Sequence, residues 1–561
     1  MDQWPRGLRV LVCGGGNAAH VLAAQLSSRG ARTTLLSTFP GEADAIREGL
    51  NRTNGIAVNH WSLDRGGTNF GVLRGTPITV ASRIQSAFSP YSTSEAEASA
   101  ETYEHFDTII LALPAFAHEN YLNSIAPYLS GHPDRPPTTI CAAVAQGGFD
   151  MAVRAALAAA NVTTDHVVIA GLETLPWACR LISQGSECEI LGTKSEVDVA
   201  VAYHLHGGTG AGEDAKGLQK RHIHRAFEQL QAIVGSTPRL RLASGFLGVS
   251  LMNINSLWHP TLMYHRWKNW NGKDTFETPP LFYEGATDEV GDTATALSEE
   301  VGLICDVLKA RYPGTLSDDL TTVRKAHAWF LRAYGDEPNI DRTSVTTMLR
   351  TNPAYMGLTH PMRPVQVYDA FGSAVPDPKP KLMPDFHHRY LCEDIPYGEY
   401  EFLVYHQLFD LTHNQRTESA RLQPHVFPGL VVTRGIAELA GVPTPQIDAI
   451  IMWMQEVTGL KYLVESKPGA HSFSETDVPG TNLRMNGNDV ARSRCPQRYG
   501  YFNLDWFMKF QGYLQEKSSE ADLGAKERAC ALDITEHSKE VKEDATKPTQ
   551  NIGREESSGA A

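Results

Sequence analysis

Gly14, Gly16 and Ala19 stand at the spacing G-x-G-x-x-G/A, a pattern suited to holding the pyrophosphate of a dinucleotide. The first glycine permits a tight turn, the second lets backbone approach a phosphate, and the small third residue lets a helix pack close to a strand. Asn17 lies inside the same turn. A second group with chemical potential is Asn255, Ser256 and His259, which share one face of a stretch whose other face carries Leu247, Leu251, Ile254 and Trp258. An imidazole there can take up and release a proton near neutral pH. Pro260 follows and is expected to kink or end the helix just after the histidine.

These groups need elements to position them. Residues 8–13 (LRVLVC) read as a buried strand running into the glycine turn. The helix after the turn carries Val21, Leu22 and Leu26 on one face, stops at Gly30, and would aim its positive end at the phosphate. Further apolar strands are expected at 33–36, 107–113, 139–144, 167–170 and 197–202. Continuous runs of this kind, separated by crossovers, indicate a parallel sheet covered on both faces. The stretches 66–75 and 92–101 read as surface loops. Past residue 245 the period changes to helical, with further helices expected over 297–309 and 447–456. Three parts follow: an α/β nucleotide-binding domain at 1–245, an all-helical domain at 246–515, and a charged, disordered tail at 516–561 without an aromatic residue.

The bulk composition narrows the function classes. A chain of 561 residues needs more than one core, and 42% hydrophobic with 20% charged residues is a globular balance. The net charge of −14 disfavours nucleic acid and anionic membranes as partners. No apolar run approaches the ~20 residues that a membrane span needs, and the N-terminus lacks a signal-peptide pattern. The cysteines at 13, 141, 179, 188, 305, 392, 495 and 530 are scattered, which fits reduced thiols in a cytoplasmic protein. The pairs His204/His206 and His222/His224 lack a second ligand cluster, so no metal is expected.

Several segments, taken in order, resemble the opine dehydrogenases of the octopine dehydrogenase type. They are 14–20 (GGGNAAH), 113–119 (LPAFAHE), 173–180 (ETLPWACR), 191–195 (LGTKS), His259-Pro260, 389–396 (RYLCEDIP), 451–453 (IMW) and 494–500 (RCPQRYG). The resemblance implies a Rossmann N-terminal domain, an all-α C-terminal domain and a substrate site in the cleft between them. It implies NADH-dependent, reversible reductive condensation of an amino acid with a 2-oxo acid, usually pyruvate, by a monomer. It places a His–Asp dyad at His259 and Asp394, and a substrate-binding arginine at Arg389. Those residue types suit the task. A guanidinium grips a carboxylate at two points, an imidazole carries the proton, and a carboxylate behind the ring orients it.

Other positions follow from the same resemblance. Glu173 lies where the octopine type holds a substrate guanidinium, with Cys179 and Trp329 lining that pocket. The alternative for Glu173 is a role in the fold or at the cofactor. Asn253 stands where that pattern has methionine. Gln146, at the end of a strand, is a contact to pyruvate or to nicotinamide, while Pro114, Phe116 and His118 are cofactor neighbours. The second strand ends Leu36-Ser37-Thr38, without a ribose-binding acid and without an arginine for a 2′-phosphate. The lack of a basic residue and the family lean to NAD. Residues 399–428 interrupt the family pattern and are either an inserted lid or a gene-model artefact. The remaining function readings are a 2-hydroxy acid dehydrogenase of the same fold and a non-catalytic NAD-binding paralogue.

Overall fold

The computed structural model describes residues 6–511 apart from 63–67, 78, 90–102, 131–134, 146, 205–212, 244, 315, 317–319, 321–322, 335–336, 366, 369–373, 376, 378, 389–390, 392–428 and 467–477. Gln146, Arg389, Asp394, the 399–428 segment, the 92–101 stretch and the tail therefore lie outside the described residues. By its contacts the chain divides at Leu514, and the unit Gln515–Ala561 falls wholly outside them.

The strands begin with β1 (Arg9–Cys13), β2 (Arg32–Leu36), β3 (Ile56–Ser62), β4 (Thr68–Gly75), β5 (Thr79–Ala81) and β6 (Thr108–Leu111). They continue with β7 (Thr138–Ala142), β8 (Val167–Leu172), β9 (Trp177–Ser183), β10 (Glu187–Thr193), β11 (Glu196–Ala202) and β12 (Arg239–Ala243). Eight of them form one sheet in the order β12-β11-β8-β7-β6-β1-β2-β5. All its pairings are parallel except β11 against β8. Strand β1 lies between β2 and β6, so the chain reverses its direction of travel across the sheet at β1. That switch point is where open α/β sheets leave a crevice for a ligand.

A second sheet, β4-β3-β10-β9, corrects the expectation of a surface loop at 66–75: residues 68–75 are β4, antiparallel to β3. Helix α1 (Asn17–Ser28) touches strands of both sheets, which is why nine of its twelve residues are buried and why they are mostly alanine, leucine and valine. Gly75 is needed at this approach, since a Cβ there would lie 2.0 Å from the Ala24 carbonyl oxygen. The glycines that made this stretch look like a loop are thus partly close-packing residues.

The helices that follow are α2 (Glu42–Thr53), α3 (Ile84–Phe88), α4 (Ala115–Ile125), α5 (Phe149–Ala159) and α6 (Glu213–Val234). After them come α7 (Phe246–Leu251), α8 (Asn255–Trp267), α9 (Asp288–Arg311), α10 (Ala326–Tyr334) and α11 (Val345–Thr351), with later helices Leu430–Ala440, Pro445–Thr458 and Leu504–Phe510. Among the described residues the C-terminal half is predominantly helical, yet three two-stranded ribbons interrupt it, such as Leu463–Glu465 paired with Leu483–Met485. The single helix expected through Leu247 and Trp258 is two helices, α7 and α8, separated by Met252, Asn253 and Ile254. Pro260 does not end α8, which runs seven residues further to Trp267. Proline at this position removes only the bond to the Ser256 carbonyl, and burial of Leu262, Met263 and Trp267 beyond it holds the helix together.

Candidate active site

The glycine turn has the shape a dinucleotide requires. Gly14 has φ +122°, and a Cβ on it would fall 2.4 Å from the Ala112 carbonyl oxygen, so only glycine fits. Its N–H donates to the Leu36 carbonyl at 2.7 Å, which ties the turn to the end of β2. Gly16 caps α1 with no side-chain hydrogen bond, and this leaves the first amides of the helix for a phosphate. Ala18 and Ala19 are fully buried beneath the turn. Behind it, the His20 ring bonds the Gly16 carbonyl at Nδ1 (3.0 Å) and accepts from the Gly185 N–H at Nε2 (2.9 Å). Burial pushes the His20 pKa down to about 4, with the Gly16 bond opposing, so the ring is neutral and its tautomer is set by the two partners. The residues present fit a nicotinamide dinucleotide.

Two of the expected cofactor neighbours support the cradle from behind. Asn17 is buried, and its Oδ1 accepts from the Leu181 N–H at 2.9 Å, joining α1 to β9. His118 is also buried and bonds the Leu113 carbonyl at 3.0 Å through Nε2. Burial first, then the Arg494 charge, hold its pKa well below the usual histidine value. Pro114 opens α4, and Phe116 stands exposed one residue into it. This loop is fastened by the 494–500 segment: Arg494 donates to Ala115 O at 2.9 Å, and Arg498 pairs with Glu119. A Cβ on Gly148 would meet the Arg494 carbonyl at 2.4 Å, so the same segment also presses on the loop after β7. The contacts run between residues more than 340 positions apart, so no local pattern announces them.

His259 sits in the helical half, buried on α8, with Nε2 at 2.5 Å from the Tyr283 hydroxyl. Tyr283 is stacked on Tyr355, with ring centroids 4.2 Å apart and planes at 18°. Phe282 packs beside the imidazole. The histidine is therefore held by a polar partner and aromatic walls rather than lying on an exposed face. Tyr283 lies in a loop 24 residues away, and no periodicity pointed to it.

Glu173 lies buried just beyond β8, and its carboxylate pairs with the Arg332 guanidinium of α10 while accepting from the Asp198 N–H at 2.9 Å. Arg332 also reaches Asp198 at 2.9 Å, and Arg324 reaches Asp198 at 3.1 Å. Burial raises the Glu173 pKa, the Arg332 charge opposes, and Asp198 raises it further. The pocket expected to hold a substrate guanidinium is thus met by one from the chain itself. Trp329, one turn before Arg332, packs on Phe330 and Tyr334 in the helical core, whereas Cys179 is in the core beside the sheets. Asn253 is buried at the α7–α8 break, where its carbonyl accepts from the Ser256 hydroxyl at 2.6 Å. Among the described residues no group of three or more His, Cys, Asp or Glu could hold a metal, and no helix is long and apolar enough to cross a membrane.

The family model described as NAD/NADP octopine/nopaline dehydrogenase, alpha-helical domain, matches residues 242–402. The opine dehydrogenase of Haliotis discus hannai is 31% identical over 500 residues, covering 89% of this chain and 98% of that protein. The chain belongs to the octopine/nopaline dehydrogenase family. The tauropine dehydrogenase of Arabella iricolor is 29% identical over 495 residues, which cover 88% of this chain and 98% of that one. Among solved structures, octopine dehydrogenase with NADH and L-arginine superposes with a TM-score of 0.63 at 29% identity, covering 91% of this chain and all of that one. Its complex with NADH and pyruvate gives 0.62. Family members of comparable similarity are named for different opines, so membership does not select the amine.

Proposed function

We propose that this chain is an opine dehydrogenase, condensing an L-amino acid with pyruvate or a similar 2-oxo acid and reducing the imine at the expense of NADH. The observation that carries the reading is a buried histidine with a polar partner, His259 on Tyr283, in a chain whose other half carries a glycine cradle fit for a dinucleotide. Bound NADH would lie on Gly14, Gly16 and the first turn of α1, beside Pro114 and Phe116, and supplies a hydride to the imine carbon.

The chain's own residues do the rest. His259 takes a proton from the attacking amine and returns it to the departing carbonyl oxygen, two transfers suited to an imidazole at neutral pH. Tyr283 fixes the ring through Nε2 and offers a hydroxyl for the same proton. Asp394 orients the imidazole and stabilises its charged form, while Arg389 grips the keto-acid carboxylate at two points; both roles rest on the resemblance of 389–396 to the family pattern. Gln146 contacts the keto acid or the nicotinamide, a role that rests on its place in the sequence after the 139–144 strand. A monomeric, cytoplasmic enzyme is the state that this reading carries over from the family.

The test is product analysis. With NADH, pyruvate and a ¹⁵N-labelled amino acid, the label is expected in a secondary-amine dicarboxylate containing both carbon skeletons. Lactate as the reduced product, with the amino acid unchanged, would identify a 2-hydroxy acid dehydrogenase instead. Arg389→Lys is expected to raise the keto-acid KM about tenfold with a smaller effect on kcat, because the two-point grip is lost.

A further inference from the structure

The second strand of a dinucleotide-binding fold ordinarily ends in the acid that binds the adenosine ribose. Here β2 ends at Leu36, and Ser37 and Thr38 follow without an acid. The structure supplies one from the next element. Glu42, the first residue of α2, lays its carboxylate back over the glycine turn. A Cβ built on Gly15 would fall 2.2 Å from both its Cδ and its Oε2. The Ser37 hydroxyl donates to the same Oε2, and the Gln184 side chain bonds the carboxylate from the β9–β10 turn. Since Gly14 N–H is bonded to the Leu36 carbonyl, the turn, the tip of β2 and Glu42 form one wall.

This arrangement explains Gly15, the one glycine of the run that the fingerprint leaves free. Any side chain there must displace the carboxylate. Glu42 is only half-buried, and a carboxylate offers about four acceptor sites, so Ser37 and Gln184 leave capacity for two adjacent hydroxyls. The nearby cation on α2, Arg47, is engaged by the Val80 carbonyl at 2.9 and 3.1 Å and by Asp44.

We propose that Glu42 is the ribose-binding acid of this chain and selects NADH over NADPH. Its carboxylate accepts from the 2′- and 3′-hydroxyls of the adenosine ribose and repels a 2′-phosphate. The inference rests on the reading above that the chain uses a nicotinamide dinucleotide.

Fluorescence titration of NADH and NADPH, without substrates, measures both affinities directly in the wild type, Glu42→Gln and Gly15→Ala. The wild type is expected to prefer NADH. Glu42→Gln should weaken NADH about tenfold or more while NADPH binds as well as before or better, which also shows that the variant is folded. Gly15→Ala, by pushing the carboxylate aside, should move the ratio of the two affinities the same way. An unchanged ratio in Glu42→Gln, or a wild type that prefers NADPH, would overturn the assignment while leaving dinucleotide use intact. A wild type that binds neither nucleotide would overturn both.

Discussion

The Glu173 carboxylate, just past the end of β8 inside the main sheet, is paired with the Arg332 guanidinium of α10, so an acid of the nucleotide-binding half is neutralised by a base of the helical half. Asp198 and Arg324 extend the cluster at 3.1 Å. Buried charges of this kind are costly to separate, because removing one partner leaves the other unpaired away from water.

Replacement of Arg332 by methionine should therefore lower stability by about 3 kcal/mol or more, read as a drop in the urea midpoint. The loss should be smaller in Arg324→Met, because Arg332 and Arg241 stay near Asp198 and the Glu173–Arg332 pair is kept. Equal losses would show that the cluster shares its charge without a dominant pair.

The same pairing bears on the amine. With its carboxylate engaged by Arg332, Glu173 is poorly placed to reward a second guanidinium. In an amino-acid panel with pyruvate, arginine should give a lower kcat/KM than neutral amino acids. Arginine as the best substrate would mean that Arg332 swings away when substrate binds.

His259→Ala should reduce kcat/KM by at least about a hundredfold, the range for loss of a general acid–base. Tyr283→Phe keeps the aromatic stack on Tyr355 but loses the bond to Nε2, so a smaller loss is expected, with a displaced pH profile of kcat/KM. A Tyr283→Phe profile that superimposes on the wild type would confine the tyrosine to packing.

His20 gives a pH prediction with a definite sign. Its folded pKa of about 4 lies below the ordinary 6.5, so the unfolded chain takes up a proton first as pH falls. The stability it contributes is complete above pH 6.5 and is lost as pH drops toward 4. Glu300, raised to about 7 mainly by burial, acts in the opposite direction over part of that window. The measurement is therefore a difference: the gap in urea midpoint between wild type and His20→Asn should narrow from pH 7 to pH 4. A constant gap would contradict a neutral, buried His20.

Much of this architecture was legible in the chain. Strands β1, β6, β7, β8 and β11 are largely apolar runs because their sheet is covered on both faces. Strand β4 was not, since Gly71 and Gly75 read as loop signals although one of them is required by the approach of α1. The break between α7 and α8 has no glycine or proline to mark it, and Pro260 sits inside a helix whose burial outweighs one lost bond. The glycine cradle was visible because local spacing encodes it, whereas His259 stood out only through the resemblance that groups it with Arg389 and Asp394. Tyr283, Arg332, Arg494 and Glu42 act across elements that only the fold brings together, and Glu42 lies just past the strand end where an acid is ordinarily sought.

The central claim is that the cradle at Gly14 and the histidine at 259 serve one reaction that needs both an amine and a keto acid. The most direct measurement is NADH absorbance at fixed pyruvate, with and without a panel of amino acids. The account predicts oxidation that depends on the amino acid and saturates with it, and that His259→Ala abolishes. Oxidation at the same rate with pyruvate alone would contradict it.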